Sequence, residues 1–196
     1  VCTNRVFAQS EIYDDLAQRL KIAVDLLKVG AGHDEGVEIG PLINADAKTF
    51  VQELLDEAVA EGATVLTGGN EQDQGDLFFQ PTVLTNVSTH MRVAREEIFG
   101  PIAPLIKFET EEQAIQLAND STVGLAAYMY SRDIGRVWRV SEALEYGMVG
   151  INEGLISNEM APFGGVKESG MGREGSKYGI EDYLEIKYLC MGGIDK

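Results

Sequence analysis

The sequence predicts an α/β fold, with a mostly parallel sheet flanked by helices. Three observations carry that expectation. Short runs of β-branched and aromatic residues alternate with segments whose apolar residues recur every three to four positions, over most of the chain. Such alternation favours parallel strands, because each parallel connection has to cross a face of the sheet. The length of 196 residues and a hydrophobic content of 44% allow a sizeable core in one or at most two domains. The third observation is a glycine-dense stretch, residues 161–175, in which five of fifteen residues are glycine. Its Phe163 and its varied charges mark a shaped loop folded over a site, since a flexible linker is plainer in composition.

Taken in order, residues 5–9 read as a strand. Ser10 is a candidate N-cap, and Ile12, Leu16, Leu20, Val24 and Leu27 form one face of a helix over 11–27. Residues 28–43, with four glycines and Pro41, form a loop. Asn44 caps a second helix whose core face is Phe50, Val51, Leu54, Leu55, Ala58 and Val59, and Gly62 stops it. A strand over 64–67, a polar turn over 68–76 and a strand over 78–84 follow. Pro81 interrupts the last of these and marks it as an edge or a bent strand. Glu96-Glu-Ile-Phe-Gly-Pro101 is a turn leading into a strand over 103–108. Thr110 and Gln113 form a capping box for a short helix to Asn119. Residues 125–130 read as a buried strand. Residues 134–144 form a helix packed through Val137, Trp138 and residues 140–144, and residues 147–152 another strand. Residues 183–191 close the chain as a strand with Leu184, Ile186, Tyr188 and Cys190 on one face. With Glu185 and Lys187 on the other face, it stands apart from the alternation and is a candidate edge for pairing with a partner chain. No internal repeat is apparent and no linker divides the chain.

Charge and composition narrow the function. The formal charge is −16, from 32 acids against 16 bases. That disfavours nucleic acid and anionic membrane surfaces, both of which need Lys and Arg. No apolar run approaches the ~20 residues of a membrane helix. The two cysteines, Cys2 and Cys190, make neither a disulfide framework nor a zinc cluster, and a reduced, cytoplasmic setting is the expectation. Cys190 reads as a small buried hydrophobe. Cys2 has no histidine or other base near it in sequence to activate it. His33 and His90 are isolated, and no metal is expected. Gly170-Met-Gly-Arg-Glu-Gly175 matches the dinucleotide fingerprint in letters, but it lacks the preceding hydrophobic strand that would aim a helix N-terminus at pyrophosphate. Glu96 and Glu97 are either solvated turn carboxylates or acceptors for two sugar hydroxyls.

Together, Glu96-Glu-Ile-Phe-Gly-Pro101 and Pro162-Phe-Gly-Gly-Val-Lys-Glu-Ser-Gly-Met-Gly-Arg-Glu174, with Gly124-Leu-Ala-Ala-Tyr128 between them, resemble the aldehyde dehydrogenase superfamily. The resemblance covers the whole chain. Glu145-Tyr-Gly-Met-Val-Gly-Ile-Asn152, Gly154-Leu-Ile-Ser157 and Gly172-Arg-Glu-Gly-Ser-Lys-Tyr-Gly-Ile-Glu-Asp-Tyr-Leu-Glu-Ile-Lys-Tyr188 are similar to the succinate-semialdehyde dehydrogenases within it.

The resemblance implies oxidation of an aldehyde, in the first place succinate semialdehyde to succinate. A cysteine thiolate attacks the carbonyl, hydride passes to NAD or NADP, and water releases the thioester. It implies the C-terminal part of the catalytic domain over residues 1–180. An oligomerisation strand and tail over residues 181–196 would pair with a sheet of another subunit in a homo-oligomer. The Cys-Val-Cys-x-Asn-Arg segment of the semialdehyde enzymes matches Val1-Cys2-Thr3-Asn4-Arg5 from its second residue onward. The nucleophile, the general-base glutamate and the nucleotide-binding domain are therefore expected upstream of Val1, and this chain by itself is expected to be inactive. Glu97 matches the glutamate that holds the nicotinamide ribose, and Phe99 the aromatic residue beside the nicotinamide. Phe163 matches the aromatic lining the aldehyde tunnel, and Ser157 the serine that helps bind the substrate's far carboxylate. Cys2 matches a position that in some of these enzymes forms a redox-switch disulfide with the nucleophile. The alternatives are a dehydrogenase for another semialdehyde, such as glutarate semialdehyde, and a non-catalytic assembly module of the same fold.

Overall fold

The computed structural model describes residues 2–69 and 75–195. Val1 and residues 70–74, the latter part of the turn expected over 68–76, lie outside the described residues. The chain divides into two units, residues 2–118 and 119–195. The boundary falls at the end of a helix, with no linker there.

The first unit runs β1 (Val6–Gln9), α1 (Ser10–Asp25), α2 (Ala45–Ala60), β2 (Thr64–Thr67), β3 (Thr82–Thr85), α3 (Arg92–Arg95), β4 (Ile102–Phe108) and α4 (Glu111–Asn119). Its strands form one sheet in the order β1-β4-β3-β2. β4 pairs in parallel with β1, Leu105 opposite Val6, and in parallel with β3, Ile102 opposite Thr82. β2 pairs antiparallel to β3. Side chains alternate across this sheet as the two-residue period requires. Leu84 and Ile106 enter one core with Val51, Leu54, Leu55 and Ala58 of α2, while Val83 and Leu105 enter a second core with Tyr13 and Ala17 of α1. A sheet covered on both faces explains why β4 reads as a near-continuous apolar run. The Tyr13 hydroxyl donates to Leu105 O (3.2 Å) and accepts from Asn86 N (2.9 Å), tying α1 to the sheet. Burial raises the Tyr13 phenol pKa above its ordinary value, against the hydrogen bond from Asn86.

Two caps are where the sequence places them. Asn44 Oδ1 accepts from Ala47 N (2.8 Å) at the start of α2. At α4, Thr110 Oγ1 accepts from Gln113 N (3.2 Å), and the Gln113 amide oxygen accepts from Glu109 N (2.7 Å), one residue earlier than the capping box predicts. Ser10 departs from expectation. β1 runs straight into α1, so Ser10 is already helical and Gln9 holds the cap position without a side-chain bond. The Ser10 hydroxyl instead donates to Glu109 (2.5 Å). Pro81 departs too. β3 starts after it and lies inside the sheet, between β4 and β2. The strand is neither edge nor bent at the proline, because Pro81 precedes the ladder and removes no hydrogen bond from it.

The second unit contains β5 (Val123–Gly124), β6 (Ala126–Met129), α5 (Ile134–Ala143), β7 (Met148–Ile151) and β8 (Val166–Lys167). β6 and β7 pair in parallel with α5 as their crossover, and β5 pairs antiparallel to β8. Asn152, with φ 55°, closes the end of the parallel pair: its Oδ1 accepts from Ser131 N and its Nδ2 donates to Ser131 O. The buried side chain of α5 is Val137. Trp138, expected to supply packing, is 66% exposed, and β6 is half-buried where a buried strand was expected. The apolar pattern registers a helical face but not which of its residues finds a neighbour.

The expected closing strand is absent among the described residues. Residues Glu181–Tyr183 form a 3₁₀ turn, and residues 184–191 pair with no strand. Ile186 is fully exposed and Cys190 is an exposed free thiol, not a buried one. The reason is physical: an extended segment has no strand identity without a neighbour to hydrogen-bond, and none of the other described residues supplies one.

These contacts order the stabilities of variants. Leu105→Ala, at a fully buried position on the central strand, lowers the unfolding free energy by about 3 kcal/mol. Asn44→Ala lowers it by about 1 kcal/mol. Trp138→Ala changes it by less than about 0.5 kcal/mol. Urea unfolding of the three variants measures all three shifts.

Candidate functional site

The turn between α3 and β4 is built so that two side chains stand out from it. Ile98 is buried in the core that α2 shares with β4. The Gly100 backbone lies against Val51, where an added Cβ would stand 2.5 Å from Val51 Cγ2. With Ile98 buried and Gly100 pressed against α2, Phe99 between them takes φ 48° and holds its ring 83% exposed. That conformation costs a non-glycine residue roughly 1–2 kcal/mol. Burial of Ile98 is worth about as much and offsets it.

Glu97 is exposed and has no hydrogen-bond or ion-pair partner among the described residues. Its neighbour Glu96 is occupied: the Arg92 guanidinium donates to its carboxylate (2.6 Å) and to Glu57 of α2 (2.8 Å), and lies over the Phe50 ring. The hydrogen bond to Glu96, then the charges of both acids, hold the Arg92 pKa above its ordinary value. Of the two adjacent carboxylates, one is therefore structural and one is left with both oxygens open to accept from a diol.

The N-terminal segment reaches this turn. Asn4 Nδ2 donates to Glu96 O (2.9 Å) and Asn4 Oδ1 accepts from Ile98 N (2.9 Å). Cys2, two residues earlier, is an exposed free thiol.

In the second unit the glycine-dense stretch folds back on itself. Phe163 and Glu174 exchange two backbone hydrogen bonds, Phe163 N to Glu174 O (2.9 Å) and Glu174 N to Phe163 O (2.7 Å). The Arg173 guanidinium donates to Gly165 O (2.8 Å) and Gly172 O (2.6 Å). Gly147 of the preceding turn packs flat against Gly164, where any Cβ would overlap the Gly164 carbonyl. The folded loop lines an open cleft of about 690 Å³ together with Leu125, Ile180 and Tyr183. Half-buried Phe163 is in its wall. Ser157 is not: it is exposed on the irregular segment after β7.

Of the residues singled out from sequence, Cys2, Glu97 and Phe99 belong to the first unit, and Ser157 and Phe163 to the second. Within the first unit the structure links the segment of Cys2 to the turn of Glu97 and Phe99. Asn4 and Arg173, which hold these arrangements, stand within the motifs matched from sequence, but nothing in the motifs assigns them these contacts. The Arg92–Glu96 pair carries a signal of its own, through its four-residue spacing. Among the described residues, no group of three or more His, Cys, Asp or Glu is placed to hold a metal ion. No helix there is long and apolar enough to cross a membrane.

Comparison with known proteins identifies the family and the fold. Residues 1–189 match the aldehyde dehydrogenase family. The crystal structure of succinate-semialdehyde dehydrogenase from Burkholderia pseudomallei superposes with a TM-score of 0.95 at 61% identity, over 97% of this chain and 40% of that one. The glutarate-semialdehyde dehydrogenase of Pseudomonas putida is 58% identical over 97% of this chain and 39% of its own length. The NADP(+)-named succinate-semialdehyde dehydrogenase of Escherichia coli K12 is 56% identical over 98% of this chain and 40% of its own. The chain thus spans about 40% of the length of the curated relatives it matches. With the family matched over nearly every residue and the fold superposing on its solved members, this chain belongs to the aldehyde dehydrogenase family.

Proposed function

We propose that this chain serves a nicotinamide-dependent dehydrogenase that oxidises a short aldehyde carrying a carboxylate at its far end, succinate semialdehyde first. The observation that carries the reading is the Glu96–Phe99 turn, which leaves one carboxylate without a partner among the described residues and one ring exposed at a strained backbone position. Those two groups fit a nicotinamide ribose. A carboxylate with both oxygens free accepts from two vicinal hydroxyls, and an exposed ring beside it offers a flat apolar surface. When bound, the dinucleotide would accept hydride. This chain's own part is to hold the ribose through Glu97 and to limit the position of the ring with Phe99. In the second unit, Phe163 presents an apolar wall to the aldehyde, and the Ser157 hydroxyl is available to the distant carboxylate.

The nucleophile of the proposed reaction is a cysteine not found among Cys2 and Cys190. Cys2, an exposed thiol, is proposed as its reversible disulfide partner, and residues 184–191 as a strand added to a sheet of a second copy. The domain assignment proposed is catalytic over 1–180 and oligomerising over 181–196. A cytoplasmic setting suits the two free thiols. Glutarate semialdehyde is the second reading, supported by the 58% identity to a dehydrogenase named for it. One methylene separates the two substrates, and a pocket discriminates such a difference by about 10–200-fold.

In the natural protein that contains this chain, kcat/KM for the C4 semialdehyde should exceed that for the C5 by roughly tenfold or more. The reverse order would favour the glutarate reading, and no turnover of either would remove both. The 196-residue chain alone is expected to give no aldehyde-dependent NADH or NADPH absorbance at 340 nm, an assay wavelength at which any steady increase would contradict the assignment of the nucleophile.

A further inference from the structure

Asn4 stands out from every other polar side chain near the Glu97 turn. Its carboxamide uses both ends on one stretch of backbone, donating to Glu96 O at 2.9 Å and accepting from Ile98 N at 2.9 Å. These two groups belong to the peptides on either side of Glu97. The direction of a residue's Cα–Cβ bond is set by its two flanking peptide planes, so a clamp on both fixes where the side chain leaves the backbone. The carboxamide does here what a neighbouring strand would do for an extended residue, and only one of its two flips satisfies both bonds. Glu96 is extended, at φ −97° and ψ 150°, and its carboxylate is held by Arg92. Ile98 is buried on the far side. Glu97 is thus the exposed member of a segment held on both sides, and Asn4 reaches its flanking peptides from the N-terminal segment.

We propose that Asn4 is a positioning residue for cofactor binding: it fixes the Glu97 carboxylate in the orientation that receives the nicotinamide ribose, and so couples the N-terminal segment to the cofactor site. The proposal rests on the assignment of Glu97 as the ribose acceptor. It predicts an effect on cofactor affinity and not on aldehyde affinity, because Asn4 touches only the backbone of the turn.

The test is a double-mutant cycle in the full natural protein that contains this chain, with Asn4→Ala, Glu97→Gln and the pair together. Steady-state rates are measured against NAD⁺ or NADP⁺ and, separately, against the semialdehyde. Asn4→Ala is expected to raise the cofactor KM roughly tenfold, the scale of a misplaced binding group, and to leave the aldehyde KM within about twofold. The pair is expected to be no worse than Glu97→Gln alone, since a residue that acts through Glu97 has nothing left to position. Asn4→Asp keeps the acceptor for Ile98 N, loses the donor to Glu96 O and stays close in shape. It should also raise the cofactor KM, and it decides the matter should Asn4→Ala not fold. An unchanged cofactor KM in the Asn4 variants, with Glu97→Gln raising it, overturns the proposal alone, as does a fully additive pair. An unchanged cofactor KM in Glu97→Gln overturns the ribose assignment itself.

Discussion

The parallel pairing of β1 with β4 is the constraint on which the first unit depends. Parallel strands begin at the same end of a sheet, so Val6 opposite Leu105 brings the residues before β1 to the same end as the turn before β4. That is why Asn4, more than ninety residues from Glu97 in sequence, reaches the peptides beside it. An antiparallel pairing of the same strands would send the N-terminal segment to the opposite end. The residues that the structure buries on the two faces of the sheet, Leu84 and Ile106 on one, Val83 and Leu105 on the other, serve this one geometric result.

The site side of the turn shows the usual division between a rigid support and an exposed working surface. Ile98, Gly100 and Arg92 spend their interactions inward, on the core, on Val51 and on the acids Glu57 and Glu96. Glu97 and Phe99 are exposed, and Glu97 has no hydrogen-bond or ion-pair partner among the described residues. A strained φ at Phe99 persists because its two neighbours over-determine it. The glycine-dense loop of the second unit follows the same logic with different means. It has little apolar packing, so backbone pairing of Phe163 with Glu174 and the Arg173 guanidinium set its shape.

Much of this was legible in the sequence, for identifiable reasons. α2 was, because its apolar face, its Asn44 cap and its stop before Gly62 agree with one another. The candidate turn was legible as a motif, which singled out Glu97 and Phe99 but said nothing of what holds them. Asn4 was legible only as a letter of the Cys-Val-Cys-x-Asn-Arg match; its contact was not, since an asparagine before a strand has no periodicity and its partner lies far along the chain. Trp138 misled because helical spacing assigns a face and leaves open whether anything covers it. Residues 184–191 misled in a different way: alternation of Leu184, Ile186 and Tyr188 expresses a capacity to be a strand, and a strand is completed only by a neighbour. The helix after Ser10 begins one residue early and the strand around Pro81 begins later than expected, at Thr82, because helix and strand ends are decided by tertiary contacts.

The central claim is that the Glu96–Phe99 turn is a cofactor-binding surface presented by a rigid backbone. The measurement that tests it most directly is a crystal structure of the natural protein containing this chain with NAD⁺ or NADP⁺ bound. The account predicts the Glu97 carboxylate accepting hydrogen bonds from both nicotinamide ribose hydroxyls, the Phe99 ring beside the nicotinamide, and the Asn4 bridge to Glu96 and Ile98 intact. A ribose held by other residues, with Glu97 turned into solvent, would contradict it.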